Sequence, residues 1–245
     1  YRLYQDYQKR TWNYSSNLIV LDSEKLTVSI YPFTRGTIKV VYVPKDALVT
    51  VPGGYGQYQL KHVLALSKSE KKDEELLVKA ITDILGIPID ATTKSLTLWD
   101  TLLIRRAMGE DVDTQILNLD DLPIFVSETR ADGILVQRID PVKVDFYLKD
   151  LFWEANIKAE NLTVGIFNAS GEVGIASRTM RTLEHIGVRV VEVSNWEEVL
   201  SRCELRTHPS FQQSATFHRI QQHFNCVVRE EITSNRYDMQ MLVVN

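Results

Sequence analysis

Two pairs of charged residues, each pair adjacent in the sequence, are the main candidates for chemistry. One pair is Lys45 and Asp46, and the other is Arg105 and Arg106. Lysine and arginine side chains can bind an anion, and arginine can do so through two parallel hydrogen bonds. Each pair also has an ordinary interpretation. Lys45 and Asp46 can be solvated charges at the end of a strand, and the arginines can be cations that favour the carboxyl end of a helix.

The other groups that could do chemistry fit known motifs poorly. Residues 171–174 (Gly-Glu-Val-Gly) precede a predicted helix, where backbone N–H groups can bind an anion. They lack the full glycine spacing of a dinucleotide-binding loop, and Glu172 would repel a phosphate. A tight turn that allows close helix–strand packing is therefore favoured. The histidines do not have the spacing of a metal site, and the sequence has no P-loop, zinc or nucleophile-elbow motif.

The chain has two cysteines, Cys203 and Cys226, each at the start of a predicted short strand. A helix over about 210–224 is predicted between these strands. If the strands are parallel neighbours, about 4.8 Å apart, the two thiols lie within the range for a disulfide. Two buried free thiols are the alternative.

Length, composition and charge limit the class of protein. The chain has 245 residues, 44% of them hydrophobic, which suffices for one large domain or two ordinary ones. Its net charge of −4 does not favour nucleic acid as a partner. No apolar run is long enough to cross a membrane. Because the chain begins at Tyr1 rather than at methionine, we expect that an N-terminal segment was cleaved or left out.

Hydrophobic periodicity predicts alternating strands and helices in both halves of the chain. The first half has predicted strands over 18–21, 26–31, 37–43, 47–51 and 134–138, and predicted helices over 59–67, 73–85, 96–108 and 141–153. The second half has predicted strands over 163–167, 188–193 and 239–244, and a helix over 175–186. The polar segment 154–161 is the best candidate for a linker. We therefore predict an α/β protein with two α/β domains, 1–154 and 160–245, each with a mixed sheet flanked by helices.

The order of residues in the second half resembles a known family. Residues 162–195 read LTVGIFNASGEVGIASRTMRTLEHIGVRVVEVSN. This order is similar to the pattern V-x-x-x-N-[GA]-[ST]-x-x-x-G-[LI]-A-x(6)-L-x-x-x-G-[FV]-x-V of the C-terminal domain found on LytR–CpsA–Psr cell-envelope proteins. The resemblance implies an extracytoplasmic protein of a bacterial cell. Such an oxidising compartment favours the disulfide between Cys203 and Cys226.

Two shorter motifs in the first half resemble the catalytic domain of the same family. Residues 43–56 contain Val-Pro-Lys-Asp and then Val-Thr-Val-Pro-Gly-Gly-Tyr-Gly, similar to I-P-R-D-x-x-V-x-I-P-G-Y-G. Residues 85–90 read LGIPID and match the family's turn of that sequence. The resemblance implies that Lys45 lies at an anion contact and Asp46 at an acidic group of the site.

Active members of the family transfer a glycopolymer from a polyprenyl-pyrophosphate carrier to peptidoglycan, with a divalent metal, acidic ligands and several arginines. These groups neutralise an anionic transition state. The present sequence departs from that pattern at several positions. The family's R-S-D reads Ser-Ser-Asn at 15–17, the arginine of P-R-D is Lys45, and [KR]-[IL]-N reads Gln-Leu-Lys at 59–61. The late cluster R-x-R … D-x-D-x-x-R-x-x-R-Q has no counterpart.

The sequence therefore predicts a non-catalytic extracytoplasmic envelope protein, anchored to the membrane by an N-terminal segment outside this chain. Its expected partners are a cell-wall polymer, a polyprenyl-phosphate lipid or another envelope protein, with no nucleic acid, metal or other cofactor. The alternative is an active metal-dependent phosphotransferase that uses Lys45, Asp46, Arg105 and Arg106 with magnesium to attach glycopolymers to peptidoglycan. A third hypothesis is a scaffold without a ligand. An apolar tunnel that ends at Lys45 would indicate a polyprenyl chain.

Overall fold

The computed structural model divides into two compact units, Tyr1–Lys149 and Asp150–Asn245. The structure describes residues 7, 9–12, 16–33, 36–109, 112–129, 133, 135–230 and 236–244. Two residues of the sequence predictions, Ser15 and Ile134, lie outside these ranges. Within the described ranges, no helix has both the length and the apolar character needed to cross a bilayer.

The first unit contains two mixed sheets. Its strands are β1 (Leu18–Asp22), β2 (Thr27–Tyr31), β3 (Ile38–Tyr42), β4 (Leu48–Val51), β5 (Gly56–Gln59), β6 (Ala91–Thr92), β7 (Thr114–Asn118), β8 (Phe125–Thr129) and β9 (Leu135–Ile139). They form a five-stranded sheet of order β6-β1-β2-β3-β7 and a four-stranded sheet of order β5-β4-β9-β8. The α/β class with mixed sheets is therefore confirmed, but this unit has two sheets where one was predicted.

Four described α-helices accompany these sheets: α1 (Leu60–Ser69), α2 (Glu75–Leu85), α3 (Leu98–Met108) and α4 (Pro141–Leu148). Helix α2 ends at Gly86, which adopts a left-handed backbone (φ 62°) that glycine tolerates without the strain caused by a Cβ atom. Helix α4 begins as predicted, with the Asp140 side chain accepting a hydrogen bond from the Val142 N–H. It ends at Leu148 rather than near residue 153.

Helix α3 is fixed by a buried carboxylate at its first turn. Asp100 accepts hydrogen bonds from the backbone N–H groups of Thr11 (3.2 Å), Trp12 (2.8 Å) and Thr97 (3.0 Å), and from the Thr97 hydroxyl (2.7 Å). Burial alone would raise the pKa of Asp100, but these hydrogen bonds outweigh it and lower the pKa below its ordinary value. Trp12 and Ile104 also share one apolar cluster with β1. This packing holds the segment before β1 against α3.

The second unit is a single sheet with helices. Its elements are α5 (Ala155–Glu160), β10 (Thr163–Asn168), α6 (Ile175–His185), β11 (Arg189–Asn195), β12 (Glu204–Thr207), α7 (Ala215–Phe224), β13 (Val227–Arg229) and β14 (Met239–Val243). The strand order is β11-β10-β14-β12-β13. Among the described strands of this sheet, only the β12–β14 pair is antiparallel. The β10–α6–β11 unit follows the prediction closely, because clear apolar spacing lies between glycine boundaries.

The prediction of a linker over 154–161 is wrong. Most of this segment is α5, and its Ile157 is buried in the core of the second unit. The carboxylate of Glu160 accepts hydrogen bonds from the N–H groups of Ala215 (2.6 Å) and Thr216 (2.9 Å) at the start of α7. The helix predicted over about 210–224 is likewise divided, into a 3-10 turn (Pro209–Phe211) and α7. The division between the units falls earlier in the chain, after Lys149.

A buried ion pair joins the start of the second unit to α7. The Arg219 Nε atom lies 2.8 Å from the Glu154 Oε1 atom, and neither side chain is exposed. A charge in such a position is costly unless an opposite charge lies beside it. The pair therefore makes the residues before α5 an integral part of this unit.

Candidate functional site

Lys45 and Asp46 lie in the turn between β3 and β4. The Asp46 carboxylate forms an ion pair with Lys61 of α1, whose Nζ atom is 2.6 Å from Oδ1. The hydrogen bond from Lys61 is the main reason that the pKa of Asp46 is lowered, and the charges of Lys45 and His62 act in the same direction. The Lys61 backbone N–H also donates to the Lys45 carbonyl (2.9 Å). The retained acid of the motif therefore has a lysine as its partner, at the position where the family pattern has asparagine.

Lys45 also lines an open cleft of about 390 Å³ on the first unit. The other lining residues are Lys25, Tyr42, Val43, Ile116, Asn118 and Asp120. The parallel pairing of β3 with β7 places Tyr42 opposite Asn118, which forms one wall. Lys25 comes from the turn after β1, where its backbone N–H donates to the Asp22 carboxylate (3.0 Å). Its Nζ atom lies 3.7 Å from the same carboxylate, and its side chain is 77% exposed. Sequence reasoning missed Lys25 and Asp120, because only strand pairing brings them to Lys45.

The cleft combines cations with apolar surface. Lys25 and Lys45 provide two ammonium groups, and Asp120 provides one carboxylate. Tyr42 and Ile116 are 44% and 65% exposed, so apolar surface remains open to a ligand beside the lysines. Such a lining can bind a phosphate whose attached group is partly apolar.

The described residues do not by themselves complete the ligand shell of a divalent metal. Hard cations such as magnesium take several oxygen ligands in near-octahedral geometry. The cleft offers only Asp120 as a carboxylate, and Asp46 is paired with Lys61. Across the part of the chain that the structure describes, no group of three or more histidine, cysteine, aspartate or glutamate residues could hold a metal ion.

Arg105 and Arg106 do not join this cleft. Both lie exposed in the last turn of α3 and are not among the residues that line it. Their position at the carboxyl end of a helix agrees with the ordinary interpretation, a favourable interaction with the helix dipole. The structure therefore does not assemble the four anion-binding candidates into one site.

The described positions that depart from the family motif have structural contacts. The Ser16 carbonyl accepts a hydrogen bond from the Trp12 indole (2.9 Å). The Asn17 side chain accepts one from the Phe33 N–H (3.2 Å), and Gln59 is the residue before the first turn of α1. The Asn17 hydrogen bond therefore joins the segment before β1 to the residues that follow β2.

In the second unit, Cys203 and Cys226 form a disulfide, with their Cα atoms 4.6 Å apart. They precede the parallel strands β12 and β13, in which Glu204 is opposite Val227. The Val227 N–H donates to the Cys203 carbonyl (2.8 Å), so the bridge extends the ladder by one residue.

The fold and the sites define an α/β protein of two units, with a lysine-lined cleft in the first and a disulfide in the second. Residues 161–243, about a third of the chain, match the family model described as LytR cell envelope-related transcriptional attenuator. The match confirms the resemblance of the second half to the C-terminal domain of LytR-type proteins and relates this part of the chain to cell-envelope proteins. No curated protein sequence matches the chain.

Several solved structures are similar to parts of the chain. TagT of B. subtilis matches with 12% identity and a TM-score of 0.41, covering 54% of this chain and 87% of that one. A structure titled LytR-CPS2A-psr family protein YwtF (TagT) with bound octaprenyl pyrophosphate lipid gives 12% identity and a TM-score of 0.40, covering 54% and 86%. A transcriptional regulator (EF0465) from Enterococcus faecalis gives 15% identity and a TM-score of 0.24, covering 52% and 44%. Similarities of this size do not identify a ligand or an activity for the present chain.

Proposed function

We propose that the chain is an extracytoplasmic cell-envelope protein that binds a phosphate-bearing wall polymer or lipid-linked precursor and does not transfer it. The observation that carries the proposal is the lining of the cleft in the first unit. Lys25 and Lys45 supply positive charge beside the apolar side chains of Tyr42, Val43 and Ile116. A polyprenyl phosphate is complementary to this lining, because it has an anionic head and an apolar chain.

The second part of the proposal, binding without transfer, rests on the positions of the acidic residue and the arginines. Transfer of a phosphoryl group requires a metal held by carboxylates and cations placed around the leaving phosphate. Asp46, which matches the family's acidic position, is engaged by Lys61. Arg105 and Arg106 lie outside the cleft. The remaining lysines can bind a phosphate as point charges, but they cannot give it the bidentate geometry of arginine.

A binding titration tests the proposal. The full chain is titrated with a short-chain polyprenyl monophosphate by isothermal calorimetry, and the Lys25→Ala/Lys45→Ala variant is compared with Lys68→Ala, which removes an exposed lysine of α1. A charge-assisted hydrogen bond contributes about 1.5–3 kcal/mol, so the double variant should bind at least about tenfold more weakly. Lys68→Ala should bind like the parent chain. Equal affinity in all three proteins, or no binding at all, would contradict the proposal.

The alternative function is the metal-dependent phosphotransferase. One observation favours it, because Asp120 lies in the same cleft as Lys45 and could contribute a ligand to a magnesium ion. This enzyme would release phosphate from a polyprenyl pyrophosphate only with magnesium or manganese. The turnover would disappear in Asp46→Ala and in Asp120→Ala.

A further inference from the structure

The second unit has a cleft of its own, at the carboxyl ends of the parallel strands β10 and β11. The last residues of these strands, Asn168 and Asn195, are register partners. The cleft encloses about 330 Å³ between the two loops that follow the strands. Ligands of open α/β sheets commonly bind at this edge.

The first of the two loops is held by its own side chains. The Asn168 Oδ1 atom accepts from the Ser170 N–H (3.0 Å) and hydroxyl (2.7 Å), and the Asn168 amide donates to the Glu172 carbonyl (2.8 Å). Gly171 and Gly174 adopt positive φ angles of 74° and 89°, which confirms the tight turn predicted for residues 171–174. The loop therefore has a defined shape without a ligand.

The second loop is fixed to the first by the backbone and by an aromatic side chain. The Trp196 N–H donates to the Asn168 carbonyl (2.9 Å), and the Leu200 N–H donates to the Ala169 carbonyl (2.8 Å). The Trp196 ring packs edge-to-face with Phe167, with their centroids 5.6 Å apart. A cleft formed in advance in this way binds at a lower entropic cost.

The lining of this cleft differs from that of the first unit, because no lysine or arginine is among its lining residues. The guanidinium carbon of Arg206 lies over the Trp196 indole ring, 5.2 Å from its centroid. Trp196, Val173 and Val199 give it apolar surface, and the two valines are 91% and 73% exposed. Asn195 and Glu198 add polar groups, and the carboxylate of Glu198 opposes the binding of an anion. The lining therefore suits an uncharged ligand that has both an apolar face and hydroxyl groups.

We propose that this cleft binds an uncharged saccharide unit of a glycan. The C–H face of a pyranose ring can pack against an indole ring and valine side chains. Its hydroxyl groups can donate to and accept from carboxylate and amide side chains such as those of Glu198 and Asn195. The site is distinct from the phosphate cleft, because it lies in the other unit and takes a ligand of another class.

The test uses the full chain and chitotetraose, a β-1,4-linked tetramer of N-acetylglucosamine, as the probe. Saturation-transfer NMR detects binding, and amide chemical shifts locate it. Perturbed amides should cluster in residues 168–174 and 195–199, together with the Trp196 indole. The variants Asn195→Ala/Glu198→Gln and Val173→Ser/Val199→Ser should each weaken binding at least about fivefold, through lost hydrogen bonds and lost apolar contact. Val191→Ser, at an exposed valine of β11, is the matched control and should bind like the parent chain.

Three results would overturn the inference. One is the absence of saturation transfer to the probe at millimolar concentration. Another is a set of perturbed amides outside the two loops, or binding that the cleft variants leave unchanged. The third is displacement of the probe by inorganic phosphate, because it would show that the cleft accepts anions. Each result concerns the second unit only, so the lysine variants of the first unit test the proposed function separately.

Discussion

The two units have clefts of similar volume, about 390 and 330 Å³, with opposite charge in their linings. Lys25 and Lys45 line the cleft of the first unit, whereas the charged residue of the second is Glu198. Both units are α/β structures with mixed sheets, so the fold does not account for this difference. It comes from side chains on the turns and loops, where ligand specificity is usually determined.

One ion pair from each unit shows a second difference. In the first unit, Asp46 and Lys61 pair at the surface, with side chains 62% and 40% exposed. In the second unit, Glu154 and Arg219 pair in the interior with no exposure. An exposed pair contributes little to folding, whereas a buried pair is costly to break. The comparison indicates that breaking the surface pair should change the stability of the first unit little, whereas breaking the buried pair should destabilise the second unit.

The largest expected effect is the loss of the buried pair. Arg219→Met removes the cation that lies beside the buried Glu154 carboxylate and should destabilise the second unit by about 3–5 kcal/mol. The double variant Arg219→Met/Glu154→Leu should recover part of this loss, because no unpaired charge remains. Urea denaturation of the full chain measures the loss in the single variant and the recovery in the double variant. Hydrogen exchange assigns each transition to a unit. A loss below about 1 kcal/mol in the single variant would mean that the pair resembles a surface pair.

The disulfide should have the next largest effect. Cys203 and Cys226 are 23 residues apart, and closing a loop of this length contributes about 3 kcal/mol in the chain-entropy model. Reduction or Cys203→Ala/Cys226→Ala should lower the stability of the second unit by this amount and leave the first unit unchanged. Intact mass after alkylation without a reductant should show no modified thiol. Two alkylated cysteines would disprove the bridge.

A smaller effect is expected at Asp100 in the first unit, and it depends on pH. The folded pKa of Asp100 is lowered from 3.8, so its stabilisation is present above that value and is lost as the pH falls through the folded pKa. Asp100→Ala leaves buried N–H groups without an acceptor and should cost about 2 kcal/mol at neutral pH. The difference in unfolding free energy between parent and variant should shrink below about pH 4, where the Asp100 carboxyl of the unfolded chain begins to be protonated. A difference that stays constant from neutral pH to pH 2 would contradict this account.

The smallest effect is expected at the surface pair. Lys61→Met should leave the denaturation midpoint unchanged and raise the pKa of Asp46, because the hydrogen bond from Lys61 is the main cause of its lowering. Side-chain carboxyl chemical shifts followed over pH measure this change. The variant Lys68→Met removes another exposed lysine of α1 and is the control. If Lys61→Met leaves the pKa of Asp46 unchanged, the hydrogen bond from Lys61 is not the cause of its lowering.

The second unit could be predicted largely from its sequence, and the first only in part. Helix α6 shows regular apolar spacing, and Gly187 follows it with a φ of 102°. Strand β7 was missed because Thr114, Gln115 and Ile116 are exposed, which gives no alternation of buried and exposed residues. Helix α5 was mistaken for a linker because a six-residue helix with one buried residue has almost no apolar face.

The candidate site was less predictable than the fold. Lys45 and Asp46 could be identified because their motif is continuous in the sequence. Asp120 reaches the cleft through the pairing of β3 with β7, a strand that the sequence did not indicate, and Lys25 reaches it through the pairing of β2 with β3. The partner of Asp46 depends on how α1 follows the β4–β5 pair, which no local pattern specifies.

Binding without transfer is the central claim, and one phosphorus NMR measurement tests both parts of it. The full chain is incubated with a short-chain polyprenyl pyrophosphate and magnesium, and the spectra of the parent, Lys25→Ala/Lys45→Ala and Asp46→Ala are compared over a day. We expect shifted or broadened pyrophosphate signals in the parent, weaker changes in the lysine variant, and no new phosphate signal in any sample. A magnesium-dependent monophosphate or orthophosphate signal that grows in the parent and is absent in Asp46→Ala would contradict the claim and identify the chain as an enzyme.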